Sequence, residues 1–170
     1  MSLRVGDEAP PFELPATDGS RRGPDGVTVV VFTCNHCPYA LAWHDRILDA
    51  ARDHESARFL AICPNDAERY PADSFDAMRE RVERDGGWPL PYLHDESQEV
   101  ARAFGARTTP DVFVLDADRR VRYRGAPDGD HSDPAQGAVW LREALDAVLA
   151  GKWPARPETE PVGCSIKWRR

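Results

Sequence analysis

Lysine is nearly missing from this 170-residue chain: Lys152 and Lys167 are the only two, so the positive charge is almost all arginine. Missing too is any stripe of positive charge, since acidic residues outnumber basic ones 29 to 22 and the arginines are scattered. Phosphate binding needs concentrated positive charge, so nucleic acid is not the expected partner. No apolar run approaches the length that crosses a bilayer. The opening Met1–Glu8 lacks the basic-then-apolar layout of a secretory signal, so a soluble cytoplasmic protein without a membrane partner is the expectation. Internal repeats are absent. Four cysteines in a reducing compartment do not make a disulfide framework, and a chain of this length buries one adequate core without staples. Any close cysteine pair then reads as redox-active or metal-binding.

What is present is an alternation of strand and helix patterns. The β-branched run Val27–Thr33 reads as a strand buried on both faces and ends at Cys34. Leu41, His44, Leu48 and Ala51 then recur at helical spacing. A second strand, Arg58–Cys63, precedes a helix from about Ser74 with Phe75, Met78 and Val82 on one face and Gly86-Gly87 as its stop. Tyr92–His94 reads as a short strand, followed by a helix with Asp95 as N-cap and Gly105 as terminator. Asp111–Asp116 and Val121–Gly125 form an antiparallel hairpin, and a last helix carries Leu141, Leu145, Val148 and Leu149. The expected fold is α/β and thioredoxin-like: a central mixed sheet with helices on both faces and an N-terminal extension. Residues 1–151 form that domain, and the proline-rich tail 152–170, carrying Cys164, runs extended over its surface.

The chemistry concentrates at Thr33-Cys34-Asn35-His36-Cys37-Pro38, two thiols three residues apart where a buried strand becomes a helix. Free N–H groups and the helix dipole at that junction favour a thiolate. His36, inside the pair, tunes the potential by charge or hydrogen bonding. Cys34 is expected to attack, as the thiol left accessible beyond the helix end, and Cys37 to resolve. A structural zinc would want a second close ligand pair, and Cys63 and Cys164 are isolated from each other, so no metal is assigned. Thr109-Pro110, heading the next strand, faces the pair in such a fold; a cis peptide there would present backbone groups to an extended substrate.

These motifs carry a resemblance. Val5-Gly6-Asp7-Glu8-Ala9-Pro10-Pro11-Phe12-Glu13-Leu14, the Phe32–Pro38 segment, Thr109-Pro110-Asp111 and Gly163-Cys164-Ser165-Ile166-Lys167-Trp168 together resemble the redoxin superfamily. Within its alkyl hydroperoxide reductase C and thiol-specific antioxidant type, they are most similar to the peroxiredoxin-like thioredoxin-domain branch. The resemblance spans essentially the whole chain and implies the fold more firmly than the reaction, because the superfamily holds both disulfide reductases and peroxidases. A peroxidase motif laid on Cys37 would need proline at Val30 and threonine at Cys34, and neither is there. The activating arginine has Arg107 as its only stand-in.

The leading expectation is therefore a thiol–disulfide oxidoreductase without cofactor, exchanging Cys34 and Cys37 with protein disulfides or small thiols. Its electron donor would be of the kind of thioredoxin or its reductase, and a homodimer is compatible with the resemblance. One alternative is a thiol peroxidase with Cys37 as the peroxidatic cysteine; the other is a redox sensor or metal-binding module. Cys164 is either a third redox thiol or an apolar packing residue beside Ile166 and Trp168. Cys63 reads as buried and inert. His44, His54, His94 and His131 are dispersed, and Trp88 and Trp153, beside prolines, are candidates to line a groove. Asp128-Gly129-Asp130 reads as a solvated loop or weak cation site.

Overall fold

A computed structural model describes residues 2–170. Its elements run, in chain order, β1 (Leu14–Pro15), β2 (Arg21–Arg22), β3 (Thr28–Phe32), α1 (Pro38–Asp53), β4 (Arg58–Cys63), α2 (Phe75–Arg84) and β5 (Tyr92–His94). They continue with α3 (Glu99–Phe104), β6 (Thr108–Thr109), β7 (Asp111–Leu115), β8 (Val121–Gly125), α4 (Val139–Leu149) and β9 (Cys164–Ser165). The central sheet has the order β5-β4-β3-β7-β8. β3, β4 and β5 are parallel, while β7 is antiparallel to both β3 and β8, so the sheet is mixed as expected.

β3 divides the interior. Val29 and Val31 join one core layer with Trp43, Ile47 and Tyr92, whereas Val30 and Phe32 join the other with Leu60, Ile62, Phe104 and Phe113. This is the period of two that a strand imposes, applied to a run of apolar residues with a hydrophobic layer on each face. The thioredoxin-like fold follows from this layered order.

Two local expectations change. Asp95 is not the N-cap of α3: that position is Gln98, in the left-handed region at φ 65°. Asp95 still accepts hydrogen bonds from the N–H groups of Ala101 (2.8 Å) and Val100 (3.4 Å), so it satisfies the helix start from outside it. The side chain of Gln98 is committed elsewhere, donating to the carbonyls of Pro64 and Lys167. In the loop Asp128–Asp130, Gly129 and Asp130 are solvated as expected, whereas Asp128 is buried and committed to Arg46 at 3.0 Å. The tail runs over the surface as expected, with only Pro154, Pro161 and Ile166 buried. Residues 157–159 run along the β8 edge through hydrogen bonds with Arg124, and Ile166 ends buried in the second core layer.

α1 carries a pH-sensitive residue. His44 lies against Trp88 with its Nε2 buried and unpartnered, and burial, reinforced by Arg81, holds its pKa down to about 4. A histidine depressed in the folded state stabilises above its ordinary value of 6.5, and that stabilisation is lost as pH falls toward 4. The expected loss is about 1.4 kcal/mol per pH unit across that window. Urea unfolding at neutral and mildly acidic pH checks it, with His44→Gln flattening the slope.

Candidate active site

The site forms where β3 runs out and α1 begins. Cys37 is the N-cap of α1 and Pro38 its first residue, a position where the missing N–H costs nothing. Opposite stands the loop before β7, whose Thr109–Pro110 peptide bond is cis, as expected. The Cys34 sulfur lies 3.3 Å from Thr109 Oγ1, and the Cys37 sulfur 3.2 Å from the Thr109 carbonyl oxygen. Both thiols therefore converge on one residue, although their positions and Thr109's are 72 to 75 residues apart in sequence.

A buried polar cradle fixes the loop between the cysteines. The carboxylate of Asp73 accepts from the Asn35 N–H (2.7 Å) and Asn65 Nδ2 (2.9 Å). His36 Nδ1 is 2.7 Å from the same carboxylate, an electrostatic contact without hydrogen-bond alignment. Asn35 Oδ1 in turn accepts from Arg81 (3.0 Å) and the Tyr92 hydroxyl (2.8 Å), and Arg81 also donates to the Cys34 carbonyl. None of Asp73, Asn65, Arg81 or Tyr92 is marked as functional by the sequence, because each comes from a different element. The one hint is that Asn35, a residue with donors and an acceptor, occupies an interior position of the cysteine motif. Cys34 Sγ, a His36 nitrogen and an Asp73 oxygen all lie within 4.8 Å of one another, so these three residues could hold a metal ion.

Both thiols are buried, so accessibility does not separate them, and the electrostatics favour the thiolate on Cys37 over the expected Cys34. The Cys37 thiol is held down to about 4, chiefly by the Cys34 S–H, with further help from Cys164 and the Ala40 N–H. No strict capping bond is made, yet the Ala40 N–H lies close enough to favour the thiolate. Cys34 is pushed up, first by its role as donor to Cys37, then by burial, with the Asp73 charge adding to both. Cys37 has more donors and no carboxylate against it, which favours the thiolate there. This requires the Cys37–Thr109 carbonyl contact to lengthen when the proton leaves, since a thiolate has nothing to donate.

Cys164 joins the cluster, partly buried beside Cys37. Cys63 is fully buried and pushed up to about 12 by burial and by the Asp73 charge. Arg107, the proposed stand-in for a peroxidase arginine, turns its guanidinium to the surface, 3.8 Å from Glu160. Trp88 lines an open groove with Val82, Pro89 and Leu90 and has Arg81 over its ring, whereas Trp153 is exposed with Arg122 over its ring. His54 pairs with Asp146, and His94 stacks on Phe75, away from the thiols.

The geometry meets known proteins at this point. The AhpC/TSA family profile matches residues 5–124. The chain belongs to the AhpC/TSA family. This AhpC/TSA protein is 38% identical to an uncharacterized conserved protein from Geobacillus kaustophilus, with 98% of this chain and 93% of that one covered at a TM-score of 0.89. It is 22% identical to the peroxidoxin BcpB of Mycobacterium tuberculosis, covering 87% of this chain and 97% of that one at a TM-score of 0.64. With a putative thiol:disulfide interchange protein DsbE from Chlorobium tepidum the identity is 19%, over 88% and 98% of the chains, at a TM-score of 0.63. At those two lower identities the likeness is one of fold. No curated protein matches. Among the described residues of this AhpC/TSA protein, no helix is long and apolar enough to cross a membrane.

Proposed function

We propose that the protein is a thiol–disulfide oxidoreductase cycling Cys34 and Cys37 between dithiol and disulfide. The observation that carries this reading is the convergence of both sulfurs on Thr109, at 3.3 and 3.2 Å. The Cys37 thiolate attacks one sulfur of a substrate disulfide; the other sulfur leaves as a thiolate, and a mixed disulfide remains. Cys34 then gives up its proton and attacks the Cys37 sulfur, releasing the second substrate thiolate and closing the Cys34–Cys37 disulfide. Protein disulfides or small disulfides serve as oxidants, and a thiol donor, either a small thiol or a protein of the kind of thioredoxin or its reductase, restores the dithiol.

The peroxidase reading has one supporting observation of its own, the depressed Cys37 thiol, which is the peroxidatic cysteine it requires. Against it, Arg81 directs its guanidinium to the Cys34 carbonyl and the Asn35 side chain, and Arg107 faces outward. The test compares turnover of oxidised glutathione and insulin disulfides with turnover of hydrogen peroxide, in the wild type and in Cys34→Ser. The exchanger loses catalytic disulfide turnover in Cys34→Ser, with the mixed disulfide trapped on Cys37. Peroxide turnover that exceeds disulfide turnover and survives Cys34→Ser overturns the reading in favour of the peroxidase.

A further inference from the structure

The backbone edge beside the thiols is already taken. β9 pairs antiparallel with β6, setting Cys164 opposite Thr109 and Ser165 opposite Thr108. An extended substrate would pair with this same edge. The tail is fixed on both sides of the pairing. On one side, a Cβ at Gly163 would come within 2.3 Å of the Thr109 carbonyl oxygen, so only glycine permits this approach. On the other, the Ile166 N–H donates to the Arg107 carbonyl and the Lys167 N–H to Asn65, the residue that also holds Asp73. Cys164 is the partly exposed member of the cluster, and it packs against the core layer that holds Cys37, both flanking Thr109.

We infer that Gly163–Ser165 is a built-in substrate strand, with Cys164 in the place of a substrate cysteine, through which the Cys34–Cys37 disulfide is passed to a low-molecular-weight thiol. The inference rests on the exchanger reading above. In the first step the Cys164 thiolate attacks the Cys37 sulfur. The Cys37–Cys164 bond forms, the Cys34–Cys37 bond breaks, and Cys34 leaves as a thiolate that takes up the proton Cys164 released; nothing is oxidised or reduced overall. In the second step the thiolate of an external small thiol attacks the Cys164 sulfur, and Cys37 departs as the stabilised thiolate. A second small thiol releases Cys164 from the mixed disulfide, so two thiols become one disulfide and the protein regains its dithiol. A small partner is favoured because the strand edge an extended polypeptide needs is filled, whereas Cys164 is partly exposed.

Two features prepare Cys164 for this. Its thiol is pushed up to about 11 by burial and then by its bond to Cys37 and the Cys37 charge, and Lys167 opposes that shift. Oxidation of Cys37 removes the last two effects and leaves Lys167, whose Nζ is 3.3 Å from Ser165 Oγ.

The experiment treats the full-length protein, its Cys34→Ser variant and its Gly163→Ala variant with one equivalent of diamide, then quenches with acid and maps disulfides in tryptic digests. Residues 23–46 carry both motif cysteines on one peptide, so a link to the peptide 153–167 reports Cys164 directly. The expected result is a Cys37–Cys164 link in most molecules of Cys34→Ser and in about a tenth or more of the wild type. In Gly163→Ala that link falls roughly fivefold or more while Cys34–Cys37 forms as in the wild type, because the strand is lifted and the pair is not. Oxidation confined to Cys34–Cys37 in the wild type, with Cys164 free in Cys34→Ser, overturns the inference and leaves the exchanger standing. Absence of both disulfides overturns the exchanger as well.

Discussion

Cys37→Ser abolishes disulfide exchange, with a loss on the order of a thousandfold, because the hydroxyl that replaces the thiol is neither ionised at neutral pH nor able to form the mixed disulfide. The sharper result is the pH profile of alkylation in the reduced wild type. Iodoacetamide reacts with thiolates, so labelling of Cys37 should stay level from neutral pH down and fall only near its pKa of about 4. Cys34, pushed up by its bond to Cys37, by burial and by Asp73, labels only in strongly alkaline solution. Cys34→Ala removes the largest stabilising donor and moves the Cys37 inflection upward, toward the ordinary thiol value of 9.0. Peptide mapping after a short exposure reads all of this. Preferential labelling of Cys34 at neutral pH would restore the order that the bare sequence suggests and place the thiolate on the other sulfur.

The choice between the two sulfurs shows where sequence ceases to be informative. The strand-to-helix junction, the two thiols and the turn at Thr109-Pro110 were legible because each is local: a β-branched run, a spacing of three, a proline heading a strand. The mixed sheet was legible as well, since strand and helix periods alternate along the chain. What decides between two neighbouring sulfurs is not local. Beyond the Cys34–Cys37 bond and the Ala40 N–H, which are local, it depends on Asp73 from the turn before α2 and Cys164 from the tail, and no periodicity links these two to the motif. The pairing of the tail with β6 is hidden for a related reason. Proline content does imply extended backbone, but it does not say whether that backbone covers the surface or completes an edge. Gly163 was the available signal: a glycine directly before a cysteine marks a close backbone approach, here to Thr109.

The largest loss of stability is expected from Arg46→Ala, in the middle of the helix that Cys37 begins. Arg46 reaches the buried Asp128 with Nη1, at 3.2 and 3.0 Å to its two carboxylate oxygens, and also donates to the carbonyls of Asp130 and His131. Asp128 is further satisfied by Trp43 Nε1 and by the N–H groups of Asp130 and Ala138. Deleting the guanidinium strands a carboxylate without access to water. The remaining neutral donors reduce that cost without removing it, so a loss of about 3–5 kcal/mol is expected. Arg52→Ala on the same helix breaks an exposed pair with Asp49 and should cost no more than about 0.5 kcal/mol. Urea denaturation of the two variants side by side separates burial from ion pairing as such. A loss below about 1 kcal/mol for Arg46→Ala would mean that water reaches Asp128. The pair matters to the chemistry because it joins α1 to the segment leading into α4, and the N-terminal turn of α1 presents the Cys37 sulfur. A variant that weakens this join without unfolding the protein should loosen the first turn, withdraw the Ala40 N–H from the sulfur, and raise the pH at which Cys37 begins to react.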